Sequence, residues 1–146
     1  MRNRTTITAC CTLIAIALMP SFGAAPEPDN RRLHAKMEGM KENLKAIAIT
    51  LRTPDAPLDD AFRPLSRLQA AVIDAKSMTP ARVERLDEPE RSAELGAYRA
   101  EQANLLIELC KMELALIEGD RDAAWGFVAG PLLEIRERAH ERFQEP

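Results

Sequence analysis

The chain has few aromatic residues, 4% of its 146 residues, and few runs of β-branched residues. Both shortages argue against a β-sandwich or barrel, whereas abundant Ala, Leu, Glu and Arg favour helices. No basic surplus is present, since the net charge is −3 and the pI is about 5.5. Three cysteines cannot form a disulfide framework. The composition therefore argues against a nucleic-acid-binding protein, a disulfide-stabilised miniprotein and a two-domain enzyme.

The motifs of common enzyme classes are also missing from the sequence. It contains no Gly-rich phosphate loop, no G-x-S-x-G, no H-E-x-x-H and no C-x-x-C-H. With two histidines, His34 and His140, a three-histidine zinc site is impossible. We therefore expect a protein that is not an enzyme.

The N-terminal residues have the layout of a secretory signal peptide. Two arginines precede an uncharged apolar stretch over 5–19, which is too short for a confident membrane span, and small residues follow. Cleavage fits after Gly23 or after Ala25, and we favour Gly23 because Pro26 would directly follow the second site. The sequence thus predicts a signal peptide over 1–23 and a periplasmic domain over 24–146 without a membrane anchor. The alternative is a retained anchor.

The predicted mature domain carries one cysteine, Cys110, because Cys10 and Cys11 lie in the signal peptide. A solitary cysteine suits an exported protein whose fold does not depend on disulfides.

Four segments carry apolar residues at alternating spacings of three and four, the pattern of an amphipathic helix. The third has one polar member, Gln102, and Gly130-Pro131 interrupts the fourth. Pro64 must lie in the first turns of its helix. Residues 79–91 read as a long connection. Gly119 is expected to end one helix and Asp120 to cap the next. We predict an all-α fold, an antiparallel up-down-up-down four-helix bundle. The four stripes are Leu33, Met37, Met40, Leu44, Ile47, Leu51; Phe62, Leu65, Leu68, Val72, Ala75; Leu95, Tyr98, Gln102, Leu105, Leu109, Met112, Leu116; and Trp125, Val128, Leu132, Ile135, Ala139, Phe143.

Two side chains of this bundle could ligate a metal from opposite sides. Met37 lies near the start of the first helix and His140 near the end of the fourth. In an up-down bundle these two helix ends are neighbours, and a thioether with an imidazole is an axial ligand set of low-spin haem. The ordinary roles stay open, because a core methionine commonly fills gaps and a helix-end histidine favours the helix dipole.

Local strings around these positions resemble the cytochrome b562 family of periplasmic haem-binding four-helix bundles. Residues 33–47 (LHAKMEGMKENLKAI) resemble its first helix, and residues 136–143 (RERAHERF) its closing segment. Residues 71–84 are similar to its second helix and the loop that follows, and residues 117–120 to the turn into its last helix. The likeness spans about 31–143. The resemblance implies that Met37 and His140 are the axial ligands of a non-covalent haem b, one per chain.

The chain also departs from the family pattern. Gln102 stands where the family has a phenylalanine against the haem, although Tyr98 matches its other aromatic residue. Gly130-Pro131 is an unusual interruption, and the spacing from Gly119 to His140 is one residue longer. A helix shifted by one residue would turn His140 by roughly 100° unless the kink absorbs it.

The function implied is one-electron transfer by a monomer to redox partner proteins, with no membrane or nucleic-acid partner. Arg136 is a candidate for a haem propionate, and Leu33, Met40, Tyr98, Leu105 and Leu132 are candidates for porphyrin contact. Two alternatives remain: a copper or other soft-metal carrier using His34, Met37, Met40 and His140, and a haem-free helical interaction module.

Overall fold

A computed structural model describes residues 29–143, and the predicted signal peptide over 1–23 lies outside them. All regular elements of this part of the chain are helical, so the predicted all-α class is confirmed. They are α1 (Asp29–Arg52), a 3-10 turn (Leu58–Ala61), α2 (Phe62–Lys76), α3 (Ala81–Glu84), α4 (Glu90–Ile117), α5 (Arg121–Ala129) and α6 (Pro131–Phe143).

Helix ends fall where the local sequence predicts them. Pro64 is the third residue of α2, where its missing N–H has no intrahelical partner to lose. Gly119 takes a positive φ of 77°, a conformation that glycine adopts without a Cβ clash, directly after α4. The side chain of Asp120 then accepts a hydrogen bond from the Ala123 backbone N–H at 2.8 Å and caps α5.

The fourth predicted segment is two helices, as Gly130-Pro131 indicates. Gly130 lies outside helical geometry with φ −122° and ψ −104°. A Cβ there would lie 3.0 Å from the Gly126 carbonyl oxygen, so a residue without a side chain suits this close approach. Pro131 opens α6, a position where proline's fixed φ is favourable.

The long connection predicted over 79–91 lies between α2 and α4, and α4 begins within it at Glu90. The connection contains the short helix α3, which follows Pro80 and buries Val83 against α4. The sequence did not predict this helical turn. One turn that buries a single side chain leaves no apolar period to detect in the sequence.

The main core joins α1, α2, α4, α5 and the start of α6. Positions of all four predicted stripes are buried in it, including Ile47, Leu65, Leu109 and Leu132. α1 packs mainly on α2 and α5, whereas α6 packs mainly on α4 and α5. Direct packing of α1 on α6 is therefore slight at most, although these two helices carry the predicted ligands Met37 and His140.

Candidate functional site

The site predicted from the sequence lies among two small apolar clusters beside the main core. The first, called here the methionine cluster, consists of buried Leu33, Ala75 and Met78, with Met37 and Met40 packed on it. The second, the tyrosine cluster, consists of buried Val83, Tyr98 and Phe143, with Leu95, Ala97 and Ala139 packed on it. The start of α1, the end of α2 and Met78 just after it form the first cluster. The short helix α3, the start of α4 and the end of α6 form the second.

Tyr98 connects the two clusters. Its hydroxyl donates a hydrogen bond to the Ala75 carbonyl oxygen at 3.0 Å, and its ring meets the Phe143 ring edge-on with centroids 5.4 Å apart. The side chain is fully buried, and this burial raises the pKa of Tyr98 to about 12. Tyr98, one of the predicted contact residues, is therefore held in one position between α2, α4 and α6.

The two predicted ligands lie on helices joined through these clusters. Met37 is half-buried on α1 against the methionine cluster, and His140 is exposed on α6, next to Ala139 of the tyrosine cluster. An unbroken series of contacts through Ala75, Tyr98 and Phe143 connects the surroundings of the two. Met37 packs on this series of contacts from α1, whereas His140 is an exposed neighbour of it along α6.

α6 keeps the predicted core face after the break at Gly130. After Gly130, the predicted apolar positions Leu132, Ile135 and Phe143 are buried and Ala139 is half-buried. The core face of α6 is thus the predicted one, and His140 occupies the next position around the helix.

The other predicted contact residues lie in the methionine cluster, in the main core or at the surface. Leu33 is buried and Met40 half-buried in the methionine cluster, while Leu105 and Leu132 belong to the main core. Arg136 and His34 are exposed. Within residues 29–143, His140, His34 and Arg136 make no hydrogen bond or ion pair with a protein group. Their polar groups remain available for other partners.

Gln102 is the polar exception in this region. It is 3% exposed, one turn after Tyr98 on the same face of α4, and its Oε1 has no hydrogen-bond partner. An unsatisfied buried oxygen costs about 1–3 kcal/mol. The sequence identified Gln102 as a core residue, but its missing partner is visible only in the structure.

A small cleft beside the tyrosine cluster was not anticipated from the sequence. It has a volume of about 250 Å³ and is lined by Arg82, Val83, Leu86, Glu90, Glu94 and Arg142. Arg142 donates two hydrogen bonds to the Glu94 carboxylate, at 2.9 and 2.6 Å, and these bonds lower the pKa of Glu94. Neither Met37 nor His140 lines this cleft, and it is smaller than the ~300–1,000 Å³ of typical cofactor pockets.

No protein-family model matches the chain, and no curated protein matches it either. Over the part that the structure describes, no helix combines the length and apolarity needed to cross a bilayer. In the same residues, no group of three or more His, Cys, Asp or Glu side chains could hold a metal ion. The predicted site consists of one methionine and one histidine, and methionine is not among these residue types.

The donor set fits haem iron. A half-buried thioether on α1 and an uncommitted imidazole on α6 provide one soft and one nitrogen ligand. Tyr98, Leu33 and Met40 supply apolar surface beside them, and Arg136, one turn before His140, has no protein partner. The haem prediction depends on these side chains.

Proposed function

We propose that this chain is a haem b-binding electron-transfer protein of the periplasm, with Met37 and His140 as axial ligands. The observation that carries the proposal is the arrangement of α1 and α6. Each contributes one donor beside the connected clusters, and the two helices pack on others more than on each other. A flat group between α1 and α6 would have Met37 on one side and His140 on the other.

The proposal includes an antiparallel up-down-up-down arrangement of the four long helical segments. Lys36 near the start of α1 pairs with Asp74 near the end of α2 at 2.6 Å. Arg142 at the end of α6 pairs with Glu94 near the start of α4 at 2.6 Å. Pairs that join the start of one helix to the end of another support this topology.

Haem b supplies reversible one-electron transfer when it is bound. With Met37 and His140 both holding the iron, no ligand position would be left open for oxygen, and the Met37 thioether would favour a higher potential. His140 and Arg136 lie on the same side of α6, separated by one turn, so Arg136 can bind a propionate while His140 ligates. Burial of the methionine cluster keeps water from the Met37 side.

Haem titration of the purified protein, followed by absorption before and after dithionite, tests this proposal. We expect sharp reduced-state bands typical of six-coordinate low-spin iron, and a pigment that acidified organic solvent extracts, since no C-x-x-C-H is present for covalent attachment. Met37→Ala should retain the helical circular-dichroism signal, give high-spin iron and lower the potential. His140→Ala should weaken haem binding about ten-fold or more.

His34→Ala is the matched control, because His34 is also an exposed, unpartnered histidine but lies on α1. It should leave the spectrum and the haem affinity unchanged. If Met37→Ala and His140→Ala both keep the parent spectrum, the ligand assignment is wrong. A colourless protein that takes up copper instead would indicate a soft-metal carrier, and one that takes up neither would indicate an interaction module.

A further inference from the structure

Three of the four methionines in residues 29–143 belong to the methionine cluster. Met78 is buried at 4% exposure, and Met37 and Met40 pack half-buried against the cluster. The fourth methionine, Met112, is fully buried in the main core. Met37 and Met40 come from α1, whereas Met78 follows α2, so the fold brings together thioethers from two separate segments of the chain.

The methionine cluster is much richer in methionine than the main core. Methionine commonly fills irregular gaps, and Met112 is the one methionine among the twelve buried residues that the main core takes from residues 29–143. In the methionine cluster, by contrast, three of the five members are methionines. The other two, Leu33 and Ala75, carry no polar side-chain atom. The cluster therefore offers three sulfur atoms in apolar surroundings.

The α1 members of the cluster lie on the side of the helix that is near α2. Lys36 marks the edge toward α2, since its ammonium pairs with a carboxylate of that helix at 2.6 Å. At about 100° per residue, Met40 lies roughly 40° and Met37 roughly 100° around α1 from Lys36, whereas His34 lies roughly 160° from it. His34 is therefore on the side of α1 away from α2 and from Met78, which follows α2.

The direction in which long side chains leave a helix lets the three sulfur atoms converge. Such side chains lean toward the helix N-terminus, so Met40 leans toward the turn of Met37, and Met37 toward the turn of Leu33. Leu33 and Met78 are buried in the same cluster. Because methionine has three rotatable bonds and adapts readily, rotations within these side chains can point all three thioethers at one position.

We propose that the methionine cluster of the haem-free protein binds one Cu(I) ion through the thioethers of Met37, Met40 and Met78. Neutral, soft thioether ligands select Cu(I) over harder ions. An apolar site also favours a monovalent ion, since the cost of removing an ion from water grows steeply with its charge. Over the described part of the chain, no group of three or more His, Cys, Asp or Glu side chains offers a competing site for a divalent ion.

This site differs from the soft-metal site considered from the sequence. Met78 enters the ligand set, and His34 and His140 leave it, because His34 lies on the far side of α1 and His140 is exposed on α6. Met37 is shared with the proposed haem site, so Cu(I) and haem exclude each other at this side chain. The inference concerns the protein before haem enters and does not depend on haem binding.

Competition with bicinchoninate, a chromophoric Cu(I) chelator, tests the site in the absence of oxygen. The probe is Cu(I) alone, and the haem-free full chain has its three cysteines blocked with N-ethylmaleimide so that thiols do not bind copper. We expect the chain to withdraw one Cu(I), and excess Zn²⁺ not to displace it. Met78→Leu should weaken Cu(I) binding about ten-fold or more, because loss of even an outer-shell partner of a metal costs about that much.

Met112→Leu is the matched control, since it removes a buried thioether outside the methionine cluster. Both substitutions nearly conserve volume and should keep the fold, which circular dichroism verifies. Met112→Leu should leave the Cu(I) affinity unchanged. Equal affinities of the Met78→Leu and Met112→Leu proteins overturn the proposal, and so does a parent chain that withdraws no Cu(I) from the chelator.

His140→Ala separates this site from the haem site. The substitution removes a proposed haem ligand but none of the three thioethers, so Cu(I) affinity should stay within about two-fold of the parent even where haem binding is lost. A protein that binds Cu(I) but no haem would contradict the proposed function alone. If His140→Ala weakens Cu(I) binding as much as Met78→Leu does, the three-thioether site is overturned.

Discussion

Gln102 and Tyr98 show what a single residue contributes to the interior of this protein. Both lie on the core stripe of α4, and both are buried, as the spacing of the stripe predicts. Their hydrogen bonding differs, because the Tyr98 hydroxyl reaches a carbonyl 23 residues earlier in the chain whereas Gln102 Oε1 has no partner. Periodicity predicts burial from local spacing, but partners distant in sequence follow from tertiary packing, which the sequence alone did not supply.

Gln102→Leu is expected to stabilise the haem-free protein. The substitution keeps a similar volume and removes an unsatisfied buried oxygen, so the free energy of unfolding should increase by about 1 kcal/mol and the melting temperature by roughly 4 °C. Gln69→Leu is the control, since Gln69 is half-buried and bonded to Glu113. Thermal unfolding of both variants measures the difference. A Gln102→Leu protein less stable than the parent would show that the oxygen has a partner in solution.

The side chain of one arginine joins the end of α1 to the start of α5. The guanidinium of Arg121, at the first position of α5, donates hydrogen bonds to the carbonyls of Thr50, Leu51, Thr53 and Ala56. Thr50 and Leu51 lie in the last turn of α1, whose carbonyls have no partner four residues further along the helix, and Thr53 and Ala56 lie in the segment that follows. The sequence predicted the start of α5 from Gly119 with Asp120, yet it did not indicate this contact, because Arg121 reads as an ordinary surface arginine.

Arg121→Met is expected to separate the end of α1 from α5. Loss of several charge-assisted hydrogen bonds to half-buried carbonyls should lower the free energy of unfolding by about 2 kcal/mol and the melting temperature by roughly 8 °C. Arg63→Met on exposed α2 surface, where no protein partner is present among the described residues, should change stability by less than about 0.5 kcal/mol. Equal melting temperatures for the two variants would show that the hydrogen bonds of Arg121 do not stabilise the fold.

At the scale of the whole molecule, the four apolar segments and the all-α class followed from the sequence because each stripe is long and regular. A second apolar row on α4 has the same spacing of three and four as a core stripe, and the sequence analysis did not identify it; it consists of Ile107, Cys110, Leu114 and Ile117. Two apolar faces on one helix weaken its overall asymmetry, and nothing local tells which face meets the core. The structure resolves this by burying Leu109 and Met112 and exposing Ile107 and Leu114.

The pH dependence of unfolding is also a property of the whole fold. Burial raises the pKa of Tyr98 to about 12, so the folded state holds the phenol proton more tightly than the unfolded state, with its ordinary value near 10. The resulting stabilisation is complete below about pH 10 and is lost as the pH rises toward 12.

Urea unfolding of the parent and of Tyr98→Phe between pH 8 and 12 measures this loss. The parent should lose stability more steeply than the variant above about pH 10. The variant should itself be less stable at pH 8 by about 1 kcal/mol, the net value of one hydrogen bond. The Ala75 carbonyl is still satisfied in the variant, since it also accepts the Met78 N–H at 2.9 Å. Parallel pH profiles would show that Tyr98 titrates normally in the folded state.

The break at Gly130 has a consequence for how the fourth segment comes apart. No backbone hydrogen-bond ladder runs unbroken through α5 into α6, so the two helices need not open together. α5 is held by α1 and α4, whereas the last turns of α6 rest chiefly on the start of α4. The C-terminal turns of α6 can therefore open locally while the Arg121 end of the protein stays folded.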